Sequence, residues 1–203
     1  MAEDEQSEDA GGCALADVGG QSPCVVLAAD ERTNMIDIQS PHEHDLSATI
    51  KLGDVTPHNW KETKQLEEAI FSRSHDERLY TKKADGEPLA KVVHFNDQAV
   101  GLILCSLRTT NGRKQLHIHA IGVLAPYRRF GVAGMLMNSA LGFCDGDRAI
   151  KVVDLHVRVD NASAIRFYER FGFAKISLSK NHYPNETPSD AFLMEKAVNR
   201  FEN

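Results

Sequence analysis

The 203-residue sequence contains no apolar run long enough to cross a bilayer. Its leading apolar patch, Cys24 to Ala29, is six residues long where about 20 are needed. No membrane association is therefore expected. The acidic start, Met1-Ala-Glu-Asp-Glu5, has no basic n-region, so no secretory signal is expected either. Cysteine is sparse. Cys13, Cys24, Cys105 and Cys144 show no metal-ligand spacing, and two of them lie inside apolar runs. That pattern argues against a zinc ribbon or a disulfide framework and points to a reduced, intracellular protein; the cytoplasm is the expected location, with the nucleus as a second. No internal repeat is present.

Positive charge is also scarce, and it is unevenly placed. Residues 1–48 hold eleven Asp/Glu against one basic residue, Arg32, a net charge of −10. The remainder holds 22 Lys/Arg and 18 Asp/Glu, so the overall −6 hides a mildly basic domain behind an acidic segment. Residues 1–48 are rich in Gly, Ser, Ala and acid without a sustained period, which predicts a disordered leader before one domain at 49–203. A charge of +4 spread over that domain is not a basic stripe, so direct nucleic-acid binding is not expected.

Periodicity supplies the elements. Ala48 to Leu52 alternates like a strand, and Thr56-Pro57 reads as a helix cap followed by proline at the first helical position. The helix after it carries Trp60, Leu66, Ala69 and Ile70, and residues 71 to 88 are irregular. Strands are expected at Leu89–Phe95, Ala99–Leu107 and Leu116–Val123, with turns at Asn96-Asp97 and Asn111-Gly112. A helix fits Phe130 to Phe143, with Met135, Leu136, Ala140 and Leu141 on its apolar side. Lys151–Val159 is a strong β run, and Asp160-Asn161 caps a helix that ends at Gly172. Phe173–Leu178 and Ala191–Ala197 complete an α+β fold with a mixed, mostly antiparallel sheet.

Two features within this frame carry chemistry. Arg128-Arg129-Phe130-Gly131-Val132-Ala133-Gly134 sits where a strand feeds a helix, a place that leaves backbone N–H groups unpaired at the positive end of a helix dipole. Small residues at 131, 133 and 134 allow an anion to approach the backbone, and the arginines add charge. Taken alone, this loop fits an ordinary turn equally well. It lacks the lysine of a nucleotide P-loop and the spacing of a dinucleotide fold. The second feature is the strand Leu116-His-Ile-His-Ala-Ile121, where His117 and His119 share one face with residue 121.

The R-x-x-G-x-A pattern at 128–133 resembles the pyrophosphate loop of the GCN5-related N-acetyltransferases (GNAT). Leu155-His-Val-Arg-Val-Asp-Asn-Ala-Ser-Ala-Ile-Arg-Phe-Tyr-Glu-Arg-Phe-Gly-Phe173 resembles that family's strand, cap and A-x-x-F-Y-x-x-x-G-F helix. Leu52 to Asn59, Phe95-Asn-Asp97, Leu124 to Arg129 and Asn181 to Asp190 are similar to one subfamily, the catalytic subunits of NatE, also called "separation anxiety" proteins. The similarity runs from about Ile50 to Ala197 and omits the leader.

The resemblance implies an acetyl-CoA-dependent N-terminal acetyltransferase with no metal, acting co-translationally on nascent chains. NatA auxiliary and catalytic subunits at the ribosome are the implied partners. Two strands are expected to splay and admit the pantetheine arm. Backbone groups of Ile121 and Val123 would hold it, and the amides from Arg129 to Gly134, with Arg128 beside them, would hold the pyrophosphate. Asn161, Ser163 and Tyr168 are implied as further cofactor contacts, Tyr168 also aiming its hydroxyl at the leaving thiolate. His156 matches the subfamily histidine that orders a proton-accepting water, and His117 occupies the place of its partner tyrosine. Phe71, Arg73, His75, His119, His182 and Tyr183 fall at substrate-contacting positions. Several of these depart from the subfamily: Ser72 and Arg73 replace Pro and Val, His75 a tyrosine, His119 a methionine, and Glu186 an isoleucine. A pocket more polar than one shaped for an initiator methionine follows.

Three other functions stay open on sequence: an acetyl-CoA-binding adaptor without turnover, a lysine acetyltransferase, and a zinc site built from His117, His119 and His156.

Overall fold

The computed structural model describes residues 49–81, 89–110 and 112–198. The expected leader and the turn residue Asn111 lie outside these. Seven strands form one sheet: β1 (Ile50–Asp54), β2 (Ala90–Phe95), β3 (Gln98–Thr110), β4 (Arg113–Val123), β5 (Ile150–Arg158), β6 (Ala174–Ser179) and β7 (Ala191–Ala197). Their spatial order is β1-β2-β3-β4-β5-β7-β6. Every neighbouring pair is antiparallel except β4 and β5. That pair is parallel because the helix α3 (Val132–Gly146) returns the chain between them, the crossover that parallel strands require. The helices α1 (Trp60–Phe71), α2 (Arg78–Thr81) and α4 (Ala162–Arg170) complete the fold. No described helix is long and apolar enough to cross a membrane.

The β2–β3 turn forms as expected. Asn96 and Asp97 take φ of 47° and 67°, the left-handed pair that a two-residue hairpin needs and that these residue types tolerate best. Other boundaries moved. The helix expected from Pro57 begins at Trp60, because the Thr56 carbonyl accepts from both Asn59 N and Trp60 N and closes a separate turn first. The irregular stretch after Phe71 contains α2, which buries Tyr80. The helix expected from Phe130 starts at Val132 and continues past Phe143 to Gly146. Met135, expected on its apolar side, is exposed, while Leu136, Met137, Ala140 and Cys144 face the core.

The sheet is covered on both faces. A Cβ on Gly101 would meet Val132 and Leu136 of α3, whereas a Cβ on Gly122 would lie 2.6 Å from Phe71 Cζ and 2.7 Å from Ile70 Cγ2 of α1. Glycine at 122 thus lets the end of α1 lie directly on β4. Replacement by alanine forces that helix end outward, and overpacking of this kind costs about 1–3 kcal/mol. Gly122→Ala is expected to lower the unfolding midpoint in urea by that amount with an unchanged m-value. A midpoint equal to that of the wild type would contradict the packing described.

Two irregularities in β4 place the site. Ala120 pairs with Leu104 but Ile118 with Cys105, so His119 is an extra residue bulged out of the β3 ladder. On the other edge, the parallel register with β5 runs only to Ile118 and Leu155. Beyond that rung β4 continues to Val123 and β5 to Arg158 without pairing to each other, so the strands part.

Candidate active site

At the wide end of this gap lies the start of α3. Arg129 and Gly131 adopt φ of 72° and 81°, which swing the loop so that the helix begins without a side-chain cap. The first intrahelical bond is donated by Met135 N to Gly131 O at 3.0 Å. The amides of Val132, Ala133 and Gly134 therefore have no acceptor within the helix. They face a cavity of about 530 Å³ lined also by Val123, Arg128, Arg129, Ser163, Phe167 and Arg170. A Cβ at Gly134 would meet nothing within 4 Å, so the helix end is open to a ligand. Backbone donors, a helix N-terminus and arginines at one cavity make an anion seat of the kind a pyrophosphate requires.

Not every residue expected along the coenzyme has its side chain at this cavity. Phe130 turns its ring to Phe95, 6.1 Å between centroids, and stays 47 % exposed outside the lining. Arg128 spends its Nε on the Val123 carbonyl at 3.1 Å, and burial lowers its pKa, so it braces the strand end as well as supplying charge. Ile121, Asn161 and Tyr168 do not line the cavity. Asn161 caps α4, its Oδ1 accepting from Ala164 N at 3.1 Å. Tyr168 is fully buried, with its ring between those of Phe167 and Phe173. Arg170 was not anticipated. With Arg166 and Arg129 it also lines an adjoining cavity beside Ser163, and the four-residue spacing of Arg166 and Arg170 on α4 was the available signal.

At the narrow end of the gap five imidazoles form a continuous row. His75 lies 5.5 Å from His119, His119 4.7 Å from His117, and His117 6.0 Å from His156. His156 stacks on His182 at 4.0 Å and 14°. Tyr183 closes the row, edge-on to His182 at 4.5 Å. The bulge explains why the rings of His117 and His119 touch, and the parting of β4 and β5 explains why His156 reaches their side. Burial is the main cause that favours the neutral form of four of these rings, His117, His119, His156 and His182. It takes His119 down to about 2 and, with His182 and His117 nearby, His156 down to about 4. His117 and His182 are also lowered by burial, though Asp154 opposes this at His117. The imidazoles lie side by side instead of converging, and the described residues hold no group of three or more His, Cys, Asp or Glu arranged for a metal ion. The zinc arrangement of His117, His119 and His156 is not what the rings form.

Three anchors hold the row. Asp154 Oδ2 lies 2.7 Å from His117 Nδ1, and Ser106 Oγ 2.7 Å from His119 Nε2. Glu67, with no exposed surface, accepts from His75 N at 3.0 Å, from His75 Nδ1 at 2.5 Å and from the Tyr80 hydroxyl. Neither Asp154 nor Glu67 was singled out in sequence, although a carboxylate inside the apolar run Val153-Asp154-Leu155 needs a buried partner.

The two loops at the mouth are joined. Arg73, after α1, pairs with Glu186 between β6 and β7, and Glu186 also receives Arg158 at 2.6 Å. The Arg73 guanidinium stands 5.9 Å from the Tyr183 ring centroid. It does not extend away into solvent.

Comparison with known proteins agrees with this geometry. Residues 54–173 match the model described as the acetyltransferase (GNAT) family. The chain is 40 % identical over 153 residues to N-alpha-acetyltransferase 50 of Danio rerio, covering 75 % of this chain and 91 % of that protein. It is 34 % identical to the probable N-acetyltransferase san of Drosophila melanogaster, covering 75 % and 83 %. Among solved structures, Arabidopsis thaliana Naa50 in complex with the bisubstrate analogue CoA-Ac-MVNAL superposes with a TM-score of 0.63 at 29 % identity, over 72 % of this chain and 97 % of that one.

Proposed function

The chain belongs to the acetyltransferase (GNAT) family, and from that premise we propose that it transfers acetyl from acetyl-CoA to the N-terminal α-amines of proteins. One observation carries this most directly. The open amides of α3 and the row of imidazoles lie at opposite ends of one gap between β4 and β5. The coenzyme's pyrophosphate would sit on the amides, with its thioester reaching the imidazoles. His117 and His156 would order the water through which the amine proton leaves, and Tyr168 would face the departing thiolate. Phe71, Arg73, His75, His119, His182 and Tyr183 would surround the incoming chain end.

The acceptor follows from proton affinity. An α-amine has a pKa of about 7.7–8.0 and a lysine about 10.4, so presenting neutral lysine costs some 3–3.5 kcal/mol more at neutral pH. Imidazoles held neutral by burial favour the less basic amine. The Danio rerio relative, N-alpha-acetyltransferase 50, carries the same acceptor in its name. Nascent chains in the cytoplasm are the substrates we propose, with NatA subunits at the ribosome as partners and the nucleus as a second location.

Acetyl-CoA turnover against peptides varied at their first two residues tests the activity, and the absence of α-amine acetylation on every peptide would overturn it. Cofactor binding has its own test. Gly134→Leu places a side chain over the helix amides without meeting protein atoms at its Cβ. Acetyl-CoA at 100 times its Kd stabilises a native state by about 2.7 kcal/mol. The wild type is expected to show a corresponding rise in Tm, and Gly134→Leu to lose it while keeping the Tm of the free protein. A rise of equal size in both proteins would move the pyrophosphate elsewhere.

A further inference from the structure

His117 and Asp154 are direct partners in the parallel register, one rung before β4 and β5 part. His117 is 1 % exposed and Asp154 5 %. Asp154 Oδ2 lies 2.7 Å from His117 Nδ1, and Asp154 Oδ1 has no hydrogen-bond partner among the described residues. The imidazole is therefore the carboxylate's compensation for burial. An ionised carboxylate only accepts, so the proton of the neutral ring must sit on Nδ1, and the lone pair must be on Nε2 across the ring.

We propose that Asp154 is a positioning residue that fixes this tautomer, making His117 Nε2 itself the acceptor of the proton released in acetyl transfer. This rests on the acetyl-transfer reading of the gap. The neutral amine forms the new N–C bond to the thioester carbonyl, the C–S bond breaks, and the coenzyme departs as thiolate with the electron pair. The proton lost by the nitrogen passes to Nε2, and the imidazolium, stabilised by the carboxylate behind it, returns that proton to solvent. The thiolate takes one from solvent, so atoms and charge balance. Asp154 is the one group that favours protonation of His117, against burial, Arg108 on β3 and His75. His119 on β4 and His156 on β5 complete the titratable groups in ring contact with it.

The test joins a spectroscopic and a kinetic readout. Nitrogen-15 NMR of imidazole-labelled wild-type protein is expected to show His117 as the Nδ1–H tautomer, and an Nε2–H signal overturns the proposal without any assay of turnover. Asp154→Asn is expected to lower kcat by roughly 10²–10⁴-fold, as loss of general-base help does. Peptide KM and the acetyl-CoA-dependent rise in Tm should stay unchanged, and the acidic limb of the kcat profile should move to lower pH. The losses from Asp154→Asn and His117→Ala should not multiply in the double variant. An Asp154→Asn enzyme with kcat within twofold of the wild type, or losses that multiply fully, overturns the proposal. Absence of wild-type turnover on every N-terminal peptide would instead remove the acetyl-transfer reading on which it rests.

Discussion

His156→Ala is expected to lower kcat by roughly 10²–10⁴-fold while leaving the acetyl-CoA-dependent rise in Tm intact. His156 sits one residue beyond the last β4–β5 rung, where its ring leaves the ladder and stacks on His182. It lies at the narrow end of the gap, away from the arginines and helix amides that would bind the coenzyme. Its loss therefore affects turnover and not cofactor affinity. The pH profile separates its role from that of the amine. A histidine in its ordinary range and an α-amine would together make kcat/KM rise through about pH 6–8. With His156 pushed down to about 4, its neutral form is already complete near pH 6. The rise between about pH 7 and 9 then belongs to the α-amine alone, and the histidine limb moves below pH 5. A ring so reluctant to hold a proton acts by orienting a water or the amine. Equal turnover in wild type and His156→Ala would remove this residue from the proton path.

Glu67→Ala is expected to destabilise the fold by about 3 kcal/mol or more, because it leaves buried donors unsatisfied at about 1–3 kcal/mol each. Glu67 is fully buried in α1 and receives the His75 amide, the His75 ring and the Tyr80 hydroxyl. Tyr80 is held protonated, its pKa raised first by burial and then by this carboxylate. Truncation strands all three donors in a region that reaches the substrate side of the gap through the 5.5 Å contact of His75 with His119. Urea unfolding monitored by far-UV circular dichroism measures the loss, which should appear in the midpoint at constant m-value. Glu67→Gln keeps one acceptor and should lose less. Equal stability of Glu67→Ala and wild type would show that the three donors find other partners.

The mouth of the gap is more polar than an apolar peptide pocket, as the residues at 73 and 186 foretell. The form of that polarity is not visible in either loop alone. Arg73 and Glu186, 113 residues apart, meet across the opening and share the carboxylate with Arg158. Neutralised against each other, they offer an incoming chain end a paired surface in place of an isolated charge.

Local patterns determined most of the elements. Alternation marked the strands, Asn96-Asp97 marked the hairpin because only a few residue types accept two left-handed conformations in succession, and Asn161 marked the start of α4 through its capping oxygen. The Arg128–Gly134 loop was legible for the same reason, since an anion seat at a helix start is made by contiguous backbone. His117 and His119 shared a face by the period of a strand. Register was beyond this reach. That His119 is bulged is a fact of the β3–β4 pairing, and that β4 and β5 part after Ile118 and Leu155 and that Asp154 stands opposite His117 are facts of pairing between segments 37 residues apart. The three donors on Glu67 and the Arg73–Glu186 bridge depend likewise on how α1 and the β6–β7 loop are carried to the sheet. Periodicity specifies which face a side chain takes. Only the packed sheet sets its height along that face, and that height decides which buried charge each imidazole meets.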